Sequence, residues 1–236
     1  MDLKGPMSDL KYLGRKNTLF KYCYLALHDH FKSEQDFNTW YERIESDEKK
    51  NIFLKVASYY LALVKNGDWH VSIPNAQPIV EYFTNTFKYV AIFSLIESLS
   101  NLHHIDFYQY LERKETQATF PISRDELKRK YGLYKQDYGA LRRCIGFFRN
   151  LTNERQHDLV SKLEVKNTEA SIESFAKYLY TLRSRFVHEA ELIHQVSNHP
   201  WIGHEGKNLI VCILSIADAM QFFEEGLLAW GNKNET

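Results

Sequence analysis

Apolar positions recur along this chain at spacings of three and four almost throughout, the period of a helix with one buried face. The clearest stripe is Ile172, Phe175, Leu179, Leu182, Phe186, Ala190 and Ile193, which predicts a helix over about 168–196. The same pattern predicts helices over about 18–31, 36–64, 79–102 and 137–163, with a last helix over 208–230. Within 36–64 the apolar exit is Phe53, Val56, Tyr59, Tyr60 and Leu63, and Lys65-Asn-Gly-Asp marks the stop. Ser123-Arg-Asp-Glu126 matches a capping box, so a short helix is expected to begin near Arg124. Pro74 and Pro78 interrupt the helical pattern between Trp69 and Pro78. They divide the chain into an N-terminal helical extension, 1–79, with a linker at about 66–79, and a core domain, 80–236.

Composition agrees with that pattern. The 236 residues are 44% hydrophobic, ample for a buried core, with only 10 glycines and 5 prolines against 15 tyrosines and 15 phenylalanines. Few turn formers and many aromatics favour long packed helices, so the expected class is all-α. Cys23, Cys144 and Cys212 are odd in number and form no CxxC pair, which suits reduced thiols in a cytoplasmic protein. Met1-Asp-Leu-Lys-Gly-Pro has no apolar signal region, and the best apolar run, Tyr89 to Ile96, is less than half of a membrane span of about 20 residues. No membrane partner is expected.

Thirty basic and thirty acidic side chains leave no net formal charge, which excludes a general nucleic-acid coat. The charge is locally uneven, however. Between Arg113 and Arg149 lie ten lysines and arginines against four carboxylates, and Lys128, Arg129, Lys130, Arg142 and Arg143 are the candidate phosphate or RNA contacts. The plainer reading is a solvated helix face with a positive bias.

The stretch that carries chemistry is Tyr180-Thr-Leu-Arg-Ser-Arg-Phe-Val-His188-Glu. Histidine both takes and gives a proton near neutrality, while arginine stays cationic and stabilises charge building on a phosphate. Arg183 and His188 are therefore candidates for phosphodiester chemistry without a metal. On a helix of about 100° per residue, His188 points roughly 160° away from Phe186, on the polar side with Ser184. Arg183 lies roughly 140° around from it and about 7.5 Å back along the axis, so the two do not meet automatically. A distorted turn, a long reach by the guanidinium, or a two-fold dimer would each bring them together. The plainer alternative is a charged helix surface in which Arg185 and Glu189, four apart, form an exposed ion pair.

The motif resembles the Arg-x4-6-His signature of the HEPN superfamily, whose members include metal-independent endoribonucleases. Leu-Tyr-Thr-Leu-Arg-Ser-Arg-Phe-Val-His is similar to one branch of it, and Ala91-Ile-Phe-Ser-Leu-Ile-Glu97-Ser-Leu is similar to the apolar helix with an embedded glutamate that begins the HEPN core. The resemblance covers about 80–230; Ser184 stands where many catalytic members carry Asn, Asp or His. It implies a HEPN-like antiparallel helical bundle, a homodimer that pairs the two motifs, an RNA substrate cut by 2'-hydroxyl attack, and 2',3'-cyclic phosphate and 5'-hydroxyl ends. Arg183 and His188 would be catalytic, with Ser184, Glu97 and Arg185 in support. A toxin-antitoxin or phage-defence setting, with an antitoxin or regulatory protein as partner, follows from the same likeness. A noncatalytic dimerisation, nucleotide-sensing or protein-interaction module is the alternative.

Other motifs are weaker. His28-Asp-His30 and His103-His104 do not face one site on a helix and have no third ligand at metal spacing, so neither a metal nor another cofactor is expected. His188-Glu-Ala-Glu-Leu192 fails the HExxH pattern. Gly203-His-Glu-Gly-Lys207 lacks phosphate-loop spacing and reads as a loop before the last helix, anchored by His199-Pro-Trp201.

Overall fold

Capping serines set where the helices begin. In the computed structural model, which describes residues 10–67, 77–99, 106–113, 115–166 and 169–233, helix α1 spans Lys16–Leu27 and α2 spans Glu34–Glu42. Helix α3 spans Asp47–Tyr60 and continues into a π-helical turn, Leu61–Lys65. The Ser46 hydroxyl accepts from the Lys49 amide at 3.2 Å, and this cap breaks the helix expected over 36–64 into α2 and α3. Of the linker expected at about 66–79, Trp69 and Pro74 lie outside the described residues, as do His103 and His104, whereas Pro78 stands in the first turn of a helix that begins at Gln77, where a proline is tolerated.

Helix α4, Gln77–Ser98, is followed by α5, Phe107–Glu112, and α6, Arg124–Tyr138. Ser123 caps α6 as expected, accepting from the Glu126 amide at 3.2 Å, but the Glu126 carboxylate turns outward to Arg129 at 2.7 Å. Only half of the capping box forms. The helix expected over 137–163 is three elements: α7, Ala140–Phe148; α8, Asn153–Ser161, capped by Thr152; and strand β1, Leu163–Val165. Helix α9 spans Ile172–Glu189 and α10 spans Ile216–Asn232.

The fold is mostly helical, and the all-α expectation needs one correction. Strands β2, Trp201–Glu205, and β3, Asn208–Cys212, join β1 in an antiparallel sheet of order β1-β3-β2. In β3 Ile210 and Cys212 are buried while Leu209 and Val211 are only half-buried, so its apolar run follows a period of two and not the helical period. Gly206, at φ 59°, is the first of the two residues that turn β2 into β3, a conformation glycine adopts without cost. Gly203 to Lys207 is thus part of a hairpin and not a loop, and α10 starts later than 208.

One buried cluster runs from Leu19 in α1 to Leu227 in α10 and includes Phe53, Tyr89, Phe93, Phe148, Phe175 and Phe223. The helices on either side of residue 79 therefore share a core. Trp40 of α2 rests against Gly231 of α10, and the Lys49 ammonium donates to the Lys233 carbonyl. A buried carboxylate ties the same regions together: Glu224 of α10 accepts from the Tyr60 hydroxyl at 2.6 Å and from His30 Nε2 at 2.8 Å, with Lys65 Nζ at 3.4 Å. Helices α5 and α6 form an arm with a small aromatic cluster of its own, in which Tyr110 and Leu111 are buried against Phe107, Tyr134 and Tyr138.

Candidate functional site

Helix α9 carries the motif, and its ends explain where the motif sits. Ser171 and Ser174 cap each other's amides at the start. Ile172, Phe175, Ala176, Tyr178, Leu179 and Leu182 are buried, and the helix packs on α7 and α4, where the Tyr89 hydroxyl donates to the Leu179 carbonyl at 2.7 Å. The helix stops at Glu189, short of the expected 196, because Ala190 takes a left-handed conformation at φ 56° and its amide returns to the Phe186 carbonyl at 3.0 Å. A non-glycine residue there costs on the order of 1 kcal/mol, so the helix ends directly after His188 and Glu189 at a small conformational cost. Ile193 is buried beyond the helix, with its amide donating to Thr86 at 3.1 Å.

Arg183 and His188 meet different surroundings. The Arg183 guanidinium is half-buried, turned toward α4, with Nη2 3.6 Å from Glu97 Oε1 and its carbon 5.9 Å from the Tyr180 ring centroid. At 3.6 Å the pair is Coulombic without a formed hydrogen bond, and both Glu97 Oε1 and Arg183 Nε are buried with no hydrogen-bond partner. Arg143 reaches the same place from α7: its Nη1 is 3.4 Å from the Glu97 carbonyl, and its Nε is likewise buried without a partner. His188 is exposed in the last turn of α9, next to an exposed Val187. Ser184 and Arg185 are half-buried between them.

Glu97 is also at the edge of a cleft of about 820 Å³ between the α5–α6 arm and the helices α4, α7 and α9. Tyr131, Tyr134 and Tyr138 of α6 and Tyr180 of α9 line it. The α6 rings form a ladder: Tyr131 and Tyr134 lie 18° from parallel with centroids 6.1 Å apart, and Tyr134 and Tyr138 lie 23° from parallel at 5.9 Å. Lys135, Arg142, Arg143 and Arg149 face the cleft against the carboxylates Glu97 and Glu173, so its lining is net positive. The carboxyl of Glu173, at the N-terminus of α9, is held below its ordinary value by the backbone amide first and then by Arg149.

The basic residues singled out in the sequence divide accordingly. Arg142 and Arg143 line the cleft, and Arg142 also donates to the Gln136 carbonyl at 2.6 Å across the α6–α7 corner. Arg129 is paired with Glu126, and the Lys130 ammonium is drawn back onto the carbonyls of Thr116 and Gln117 at 2.9 and 3.3 Å. Lys128 is exposed away from the cleft lining. Glu97, Arg142 and Arg143 thus line the cleft, Arg183 is joined to it through Glu97, and neither Arg183 nor His188 is among the residues that line it. The tyrosine ladder is not among the residues the sequence reading selects; its signal is Tyr131, Tyr134 and Tyr138 at i, i+3 and i+7 on an otherwise polar helix.

Other reactive groups are occupied or sealed. His30 bonds Glu224, and His28 Nδ1 is 3.0 Å from the Leu25 carbonyl. Burial raises the Cys23 and Cys144 thiols far above their ordinary range, with the Glu97 charge adding at Cys144, and pushes Cys212 up to about 11. Among the described residues no group of three or more His, Cys, Asp or Glu side chains is arranged to hold a metal ion, and no helix is long and apolar enough to cross a membrane. No protein-family model, curated protein or solved structure matches the chain.

Proposed function

We propose that the protein is a metal-independent endoribonuclease of the HEPN type that works as a homodimer. The observation that carries the reading is the contrast within α9: a half-buried Arg183 held beside Glu97, and an exposed His188 about one and a half turns further on. A transition-state arginine benefits from being held before substrate arrives, whereas a general acid or base must be accessible. Within one chain Arg183 faces α4 and His188 faces solvent, so a second copy supplies the missing proximity, with exposed Val187 beside His188 in the contact between copies. His188 of one copy takes the ribose 2'-hydroxyl proton and His188 of the other protonates the leaving 5'-oxygen. Arg183 stabilises the phosphoryl charge between them. The setting in which such an enzyme acts, as a toxin silenced by an antitoxin or in defence against phage, belongs to the same proposal.

The test is cleavage of a labelled mixed-sequence RNA in EDTA by the wild type, Arg183→Ala and His188→Ala, with light scattering to fix the oligomeric state of each. Removing His188 should cost at least about 100-fold, the lower range for one acid-base group, with folding and dimerisation unchanged. Full activity in His188→Ala, or activity that EDTA abolishes and a divalent ion restores, would end this mechanism.

A further inference from the structure

We infer that the cleft between the α5–α6 arm and α9 is a binding site for a nucleoside phosphate, either free or as a unit of a single RNA strand. It goes beyond the cleavage reading, because binding there needs neither His188 nor a second copy. Three features converge on this ligand. Tyr131 is 43% exposed and heads a ladder of near-parallel rings on α6, with the Lys135 ammonium 4.5 Å from its ring centroid and Tyr180 of α9 in the same lining. Such rings offer flat faces on which any base stacks, the device of single-strand binding surfaces. The cations Arg142 and Arg143 come from α7 on the floor of the same cleft, where a phosphate meets planar, permanently charged donors.

The third feature is the mixed charge of the lining. Arg143 and Glu97 both line the cleft, and the Glu97 carboxylate is already paired with Arg183 at 3.6 Å. The cations Lys135, Arg142 and Arg143 favour an anionic group, and the Glu97 carboxylate favours a polar hydrogen beside it, which a base amine or a ribose hydroxyl supplies. An acidic peptide would satisfy the arginines but offers the tyrosines no flat ring. A nucleotide offers a flat apolar face, an anion and polar hydrogens together, and a cleft of about 820 Å³ has ample room for one.

The experiment is titration calorimetry of the full-length His188→Ala chain, in which RNA cannot be consumed, with 5'-AMP and separately with a ten-nucleotide adenylate RNA. Failure of the cleavage proposal and failure of this one are then read in different assays. Saturable binding of AMP marks a free-nucleotide site, and saturation by the RNA alone marks a strand site. In either case Tyr131→Ala should weaken binding by roughly 5- to 150-fold, the range for losing one base–aromatic stack, while Tyr131→Phe keeps the ring and the affinity. Arg143→Ala should weaken it as well and, with the RNA, flatten the log–log salt dependence by about 0.7 for each phosphate that the guanidinium no longer neutralises. Neither ligand binding at millimolar concentration would overturn the inference, as would affinity that both Tyr131→Ala and Arg143→Ala leave unchanged in chains whose melting matches the parent.

Discussion

Replacing Glu224 by alanine should destabilise this protein more than any change at the motif. The carboxylate lies 6% exposed in α10 and serves three partners from the other end of the sequence. Tyr60 is fully buried, so its hydroxyl would lose its acceptor with no water to replace it, at about 1–3 kcal/mol. His30 is partly exposed and regains water, so its loss is nearer the low end of about 1.5–3 kcal/mol for a charge-assisted bond. Lys65 keeps Asp29 at 2.9 Å and the Ala26 carbonyl at 2.8 Å and loses little. Together these give about 3–4 kcal/mol, within the range for breaking a buried ion pair from one side. For a chain of this size that is a fall in Tm of roughly 10 °C.

The pH dependence follows from the same contacts. Burial by itself raises the Glu224 pKa, but the hydrogen bonds from His30 and Tyr60 and the charge of Lys65 outweigh it and hold the carboxyl below its ordinary value. Its contribution is therefore complete above the unfolded carboxylate pKa of about 4.3 and is lost as pH falls through the lower folded value. Guanidinium unfolding followed by circular dichroism at pH 7 and at pH 3.5 measures both effects, with Tyr60→Phe and the double variant closing a cycle. The acid-induced loss should be smaller in Glu224→Ala than in the wild type. A penalty below about 1 kcal/mol at pH 7, or strict additivity with Tyr60→Phe, would refute the argument.

Gly226→Ala in α10 sets helix propensity against packing. Alanine gains up to about 1 kcal/mol of propensity, but a Cβ there would lie 2.6 Å from the Phe147 ring, which is itself wedged against Phe148 and Phe223. Overpacking at about 1–3 kcal/mol wins, so a thermal melt should show a lower Tm, and a raised one would show that the ring yields. The cysteines give a second check: with all three thiols buried and their pKa values raised, a thiol-reactive dye at pH 8 should label none rapidly in the native protein and all three in denaturant. Rapid native labelling of any one would show that its packing opens.

Helical segments are legible where the periodic stripe and a capping serine agree. The start of α6 at Ser123 falls where the pattern puts it, and so does the inner face of α9 from Ile172 to Leu182, although that helix spans Ile172–Glu189 where the pattern runs on to Ile193. Breaks escape the pattern where a short polar side chain competes with the helix, as at Ser46 and Thr152, because the apolar period continues across them. The hairpin escapes it because Leu209, Ile210, Val211 and Cys212 run on toward α10 with no polar interruption, and only the β-branched pair and Gly206 betray strands. Arg183 and Glu97 can be named from the sequence since each stands in a recognisable local string. The cleft cannot, since it exists only where the α5–α6 arm folds beside α7 and α9, a contact between segments with no shared sequence signal.

The buried tie through Glu224 also orders events in time. Helices α1–α3 are synthesised well before α10, yet Tyr60, His30 and Lys49 bond to groups in α10 and just past it, at Glu224 and Lys233. The first helices cannot seal their core until almost all of the described chain has been synthesised. Until then Phe53, Tyr60 and their neighbours lack part of the surface that covers them in the folded protein, so contacts of high sequence separation are needed to complete the core.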